Sequence, residues 1–151
     1  MKKLKIESLE QAKPTGVAFY HTAEAEPWKE RYFEWTAFPM ATEFQTGRIV
    51  SGMLCSWHHT PVFEELEYHA DREALYFFEG SAIILFCDIR DGKAVMDSAQ
   101  LVRIPEGTLI AIDGGKGHFV AVAEGERYRA VVYSPEQGSP RVPLAEPVAA
   151  L

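Results

Sequence analysis

From Gly47 to Tyr133 the chain is a succession of short runs rich in β-branched and aromatic residues, each cut off by Gly, Pro or Asp, and this punctuation constrains the fold most. Gly47 to Trp57 is apolar and β-branched with no helical period. Phe63 to His69 reads as a strand that places Phe63, Glu65, Glu67 and His69 on one face. Ala74 to Phe78 and Ser81 to Asp88 are separated by a hairpin-like Glu79-Gly80 break. Asp91-Gly92 is a strong turn signal ahead of a short Lys93 to Met96 run. Gln100 to Ile104 ends at Pro105-Glu106-Gly107, and Thr108 to Ile112 ends at Asp113-Gly114-Gly115. Phe119 to Ala123 and Arg127 to Tyr133 flank a Glu124-Gly125-Glu126 turn. Many short strands so spaced predict an all-β sandwich or barrel. A length of 151 residues suits one domain with a real core. Three parts are expected within it: N-terminal strands and an aromatic segment (1–44), a barrel (45–134) and a Pro-rich strap (135–151). Ala23 to Trp35 is the one stretch with a helical reading. Trp28, Tyr32, Phe33, Trp35 and Phe38 are expected to pack at the core or an edge, or to form a dimer contact or pocket wall. From Ser134 onward, four prolines exclude a regular helix or a central strand.

Charge and composition remove several functions. The net charge of -7 opposes nucleic-acid binding, which needs a basic surface, and gives no attraction to anionic membranes. The longest apolar run, Ala82 to Cys87, is far short of the about 20 residues a spanning helix needs. The basic N-terminus leads into no apolar segment, so no secretory signal is expected. Cys55 and Cys87 lie in apolar runs without CxxC spacing and read as reduced core residues, which fits a cytoplasmic protein.

The chemistry concentrates in Glu65-Leu66-Glu67-Tyr68-His69-Ala70-Asp71-Arg72-Glu73. Two apart on a strand, Glu67 and His69 point the same way. The Ala70 to Arg72 reversal can return Glu73 to that side. His118, after the glycine-rich Asp113 to Gly117 loop, is the obvious further member. Such a mixed nitrogen and oxygen set suits a divalent transition metal with open positions. An inward cation would also relieve the repulsion built into Glu64, Glu65 and Glu67. Arg72 and Lys116, next to the two halves of the set, are candidates for holding a substrate carboxylate. His58, His59 and His21 read as surface residues, and Tyr68, Tyr76 and Tyr133 as core or wall.

These residues resemble the two motifs of the cupin superfamily. Glu67-x-His69, three residues, Glu73, six residues, Gly80 is similar to the first, with Glu for its first His. Asp113-x-Gly115-x-x-His118 is similar to the second, with Asp for Pro and Val122 at the Asn position. The resemblance implies a small single-domain barrel of the jelly-roll type over residues 45–134. It implies a metal held by His69, Glu73 and His118, with Glu67 as a replacement ligand. It leaves nickel, zinc, manganese and iron open, and it implies a homodimer. A narrower resemblance is to ureidoglycolate lyases, on the Glu65-Leu66-Glu67-Tyr68-His69 stretch, the Gly114 to His118 loop and Ala130 to Ser134. It implies a C–N lyase acting on a small polar carboxylic acid to give urea and glyoxylate, with Glu67, Glu73 and His118 catalytic. A metal-dependent isomerase or dioxygenase and a non-catalytic acid- or sugar-binding cupin are the alternatives.

Overall fold

Ala82 to Cys87 is apolar without alternation because it is buried on both faces. Ala82, Ile84 and Phe86 face one core, shared with Phe77, Ile104, Ile110, Ile112 and Tyr128. Ile83, Leu85 and Cys87 face a second, shared with Phe63, Leu66, Leu101, Val122 and Val148. The computed structural model describes residues 1–38, 42–136 and 138–151, and three layers of sheet follow from this one strand. The middle layer is five-stranded: Ala82–Arg90 pairs Lys93–Ile104, Lys116–Gly117 and Val122–Ala123, and Ile6–Glu7 lies on the far side of Lys93–Ile104. On one side packs a five-stranded sheet in the order Val17–His21, Thr108–Ile112, Glu73–Glu79, Arg127–Pro135, Ile49–Trp57. On the other packs a three-stranded sheet in the order Lys2–Leu4, Arg141–Ala150, Val62–Glu67. The all-β expectation is met as facing sheets rather than one continuously hydrogen-bonded barrel.

The turns follow their chemistry. Asp91 and Gly92 both have positive φ (51° and 70°) in the two-residue connection between Arg90 and Lys93. The two runs expected at 93–96 and 100–104 are one strand, irregular between Val95 and Gln100. There the Ser98 hydroxyl accepts from the Asp88 N–H (2.8 Å) and donates to the Val95 carbonyl (2.7 Å). Gly80 has φ +74°, and a Cβ built on it would collide with the Arg127 carbonyl oxygen. Gly80→Ala should therefore cost at least about 2 kcal/mol in urea unfolding, since strain and overlap add.

Five expectations are corrected. Ala23 to Trp35 is not a helix: a 3-10 turn covers Thr22–Glu24 only, and Trp28–Lys29 and Glu34–Trp35 form a short hairpin. Pro27 forces the preceding residue out of helical conformation. A helix there would also have no core to face, as Trp28, Tyr32 and Trp35 are exposed. The aromatic segment divides, with Phe38 packed at a tilt against Tyr20 and Tyr76 while Phe33 meets Trp28 and Tyr32 edge-on at the surface. The C-terminus is a strand, Arg141–Ala150, in the middle of its sheet. Its prolines are accommodated because the register shifts between Pro143 and Val148, freeing the chain from the ladder there. The alternation of Val62–Glu67 is broken, since Phe63 and Leu66 enter the same core and Glu65 is exposed. Finally, Cys87 is buried but Cys55 only half-buried; both are free thiols.

Candidate metal centre

Two backbone contacts assemble the cluster. Glu67 and His118 exchange both backbone hydrogen bonds: the Glu67 N–H donates to the His118 carbonyl (2.6 Å), and the His118 N–H to Glu67 (2.9 Å). The Gly115 N–H donates to the His69 carbonyl (2.8 Å), docking the glycine-rich loop on the chain just past Glu67. That approach requires Gly114, where a Cβ would lie 2.7 Å from the Ala70 carbonyl oxygen. Glu73 enters at the start of the next strand, paired with Ile112 just before the same loop. The four residues expected to converge therefore do so.

His69, Glu73 and His118 are buried, and Glu67 is half-buried. The Glu73 carboxylate bridges the two imidazoles, with Oε2 2.8 Å from His69 Nε2 and Oε1 3.4 Å from His118 Nε2. Despite these distances, neither Nε2 makes a well-directed hydrogen bond among the described residues, and both are sealed from solvent. Each ring is held by its other nitrogen. His118 Nδ1–H donates to the Lys116 carbonyl (2.9 Å), and His69 Nδ1 lies 2.9 Å from the Ser139 hydroxyl. Ligand atoms of Glu67, His69 and His118 lie within 4.8 Å of one another. Two buried imidazole nitrogens that face carboxylates without a well-directed hydrogen bond fit a divalent transition metal.

Electrostatics favour the ionised carboxylate. Burial, the largest single effect, pushes Glu73 up, but the imidazoles of His118 and His69 beside it together outweigh it and hold it at about 2. His69 is raised, chiefly by Glu73, against the opposing effect of its own burial. Glu73 thus stabilises the fold fully above its unfolded value of 4.5 and loses that contribution as pH falls toward about 2. His69 works the other way, contributing below its ordinary 6.5 and losing its part as pH rises through the raised value. In urea titrations of metal-free protein, wild type should lose about 3 kcal/mol more than Glu73→Gln between pH 5 and 2.

A cavity of about 280 Å³ adjoins the cluster, lined by Glu67, Glu73 and His118 and walled by Leu54, Leu75, Phe77, Ile84, Phe119 and Val132. Tyr128 also lines it, but burial pushes its phenol well above the usual range, so it is a wall rather than a base. The two expected carboxylate anchors lie elsewhere. Arg72 bonds Asp113 through Nε (3.0 Å) and Nη2 (2.6 Å) at the surface. Lys116, though buried, is paired with Asp88 at 2.6 Å. The cation beside the cluster is Arg141, 3.8 Å from Glu67 and 4.1 Å above the Phe119 ring. Sequence reasoning missed Arg141 and Ser139, because both sit in the segment whose prolines concealed a strand. His58 is exposed, with Nδ1 at 2.7 Å from the Ala123 carbonyl, and takes no part in the cluster.

No family model matches the chain, and no curated protein is significantly similar to it. Solved structures are. A dTDP-4-dehydrorhamnose 3,5-epimerase from Elizabethkingia anophelis matches with TM-score 0.54 at 11% identity, over 85% of this chain and 74% of its own. RmlC from Streptococcus suis, solved with dTDP-D-xylose, matches with TM-score 0.52 at 11% identity, over 91% and 72%. The fold is the cupin fold. Procruciferin, an 11S globulin from Brassica napus, matches at TM-score 0.47 and 17% identity over 65% of this chain, which spans only 23% of its length. Among the described residues no helix is long and apolar enough to cross a membrane.

Proposed function

We propose that the protein is a metal-dependent cupin enzyme acting on a small molecule held in the cavity beside Glu67, Glu73 and His118. The observation that carries this is the pair of sealed imidazole nitrogens, His69 Nε2 and His118 Nε2, which face carboxylates and make no well-directed hydrogen bond among the described residues. Glu73, His69 and His118 would hold a divalent ion, with Glu67 as a fourth ligand or a free carboxylate. A bound ion would polarise a hydroxyl or carbonyl oxygen of the substrate as a Lewis acid. Glu67 borders the cavity, is the least buried of the four, and would accept a substrate proton. The apolar walls would exclude water and pack the body of the substrate.

Those walls favour a substrate with an oxygen-bearing head and an apolar body, and proton-transfer chemistry such as isomerisation or elimination. A second reading is a C–N lyase on ureidoglycolate. It is supported by the Glu65-Leu66-Glu67-Tyr68-His69 stretch, which runs into the cluster. Metal-loaded protein would be incubated in deuterated water with a panel of small hydroxy and keto acids, ureidoglycolate included, and followed by proton NMR. Turnover or deuterium exchange is expected, abolished in Glu67→Gln while its metal is retained. No turnover, or turnover untouched by Glu67→Gln, contradicts the proposal; glyoxylate release from ureidoglycolate selects the second reading.

We also propose a homodimer. Ile49–Trp57, an edge strand of its sheet, carries no charged residue, and Ile49, Val50, Met53 and Trp57 are exposed. An unprotected edge of this kind favours pairing with another chain. Its Gly52, Met53 and Leu54 also border the cavity. Sedimentation should give a dimer, and Met53→Lys should shift it toward monomer.

A further inference from the structure

The C-terminal strand and the site strand run antiparallel, with Arg141 opposite Glu67 and Val142 opposite Leu66. Continued two residues past the end of the ladder, the same register sets Ser139 opposite His69. Their side chains meet there: Ser139 Oγ lies 2.9 Å from His69 Nδ1, across 70 positions of sequence. Arg141 pins this crossing from three directions. It faces Glu67 at 3.8 Å and Glu65 at 3.5 Å, and its guanidinium covers Phe119. The site strand is therefore flanked on one side by His118 and on the other by Ser139 and Arg141.

The two histidines differ in how they are held. His118 Nδ1 is fixed locally by a carbonyl two residues earlier, an acceptor that leaves no choice of tautomer. Among the described residues the equivalent partner of His69 comes from the C-terminal segment. Resting on the metal reading above, we propose that Ser139 is a positioning residue for His69. It accepts the Nδ1 proton and fixes the ring so that Nε2 is directed beside Glu73 and free to bind a cation. The Pro-containing segment at 139–143 is then part of the centre and not an inert strap. A hydroxyl suffices for the role, so threonine should replace serine and alanine should not.

The test uses the full-length protein stripped of metal and titrated with Mn²⁺, free ion being followed by EPR. Ser139→Ala should bind Mn²⁺ about 10–100-fold more weakly than wild type, the usual effect of losing a hydrogen bond to a ligating histidine. Ser139→Thr should stay within about threefold of wild type on the same ground. Circular dichroism of the metal-free variants should match wild type. Equal Mn²⁺ affinity in wild type and Ser139→Ala overturns this inference and leaves the metal reading intact. Equal weakening in the Ala and Thr variants also overturns it, because the contact is then one of packing. If wild type binds neither Mn²⁺ nor Zn²⁺, the metal reading fails and the inference falls with it.

Discussion

His118→Ala should lower the affinity for a divalent ion such as Zn²⁺ by more than about a hundredfold, beyond what losing a supporting partner of a ligand costs. The side chain removed is one of two imidazoles whose sealed Nε2 atoms face Glu73 without a well-directed hydrogen bond. What remains beside Glu73 is a single imidazole and, across the strand, the Glu67 carboxylate. Competition with a chromophoric chelator measures the change, and the metal-free melting temperature checks that the fold survives. Glu67→His makes the opposite statement. It restores the first histidine of the cupin motif, and binding should persist at or above the wild-type level. If both substitutions reduce binding alike, Glu67 has a role that an imidazole cannot fill.

The second large effect concerns architecture. Leu85→Ala and Phe86→Ala should both be severely destabilising, by about 2–5 and 3–5 kcal/mol respectively. In a sheet with one solvated face, one of two adjacent residues would point to water and be nearly neutral. Here Leu85 belongs to one core and Phe86 to the other, and both are completely buried. Leu151→Ala, at a largely exposed residue outside that edge strand, should stay within about 0.5 kcal/mol and serves as the control. Urea unfolding of metal-free protein reads all three. A mild Leu85→Ala would remove the three-layer description.

How much of this was legible in the sequence depended on which interactions were local. Turns such as Asp91-Gly92 and Glu79-Gly80 carry their geometry in residue type, so strand limits near them were readable. The cluster was readable because Glu67, His69 and Glu73 are close in sequence and His118 follows a loop rich in glycine. Three things were not. Ala23 to Trp35 has helix-compatible composition, but helices of this length depend on a face to bury, and this segment has none. Arg141–Ala150 was hidden because proline counts against a strand, while tolerance at a register shift depends on the partner. The roles of Arg72 and Lys116 were misjudged because nearness in sequence to a motif says nothing about who pairs with whom. Asp113 and Asp88 hold them, and both contacts span loops that bring distant residues together. Ser139 follows from the same failure, since its meeting with His69 is visible only once the C-terminal strand is placed.

The central claim, that these four side chains form a metal centre, is tested most directly by elemental analysis of the protein as purified, beside a His69→Ala, His118→Ala double variant. Close to one transition-metal ion per chain is expected in the wild type and none in the variant. Wild-type protein that carries no ion, and takes up none when supplied with nickel, zinc, manganese or iron, would contradict it.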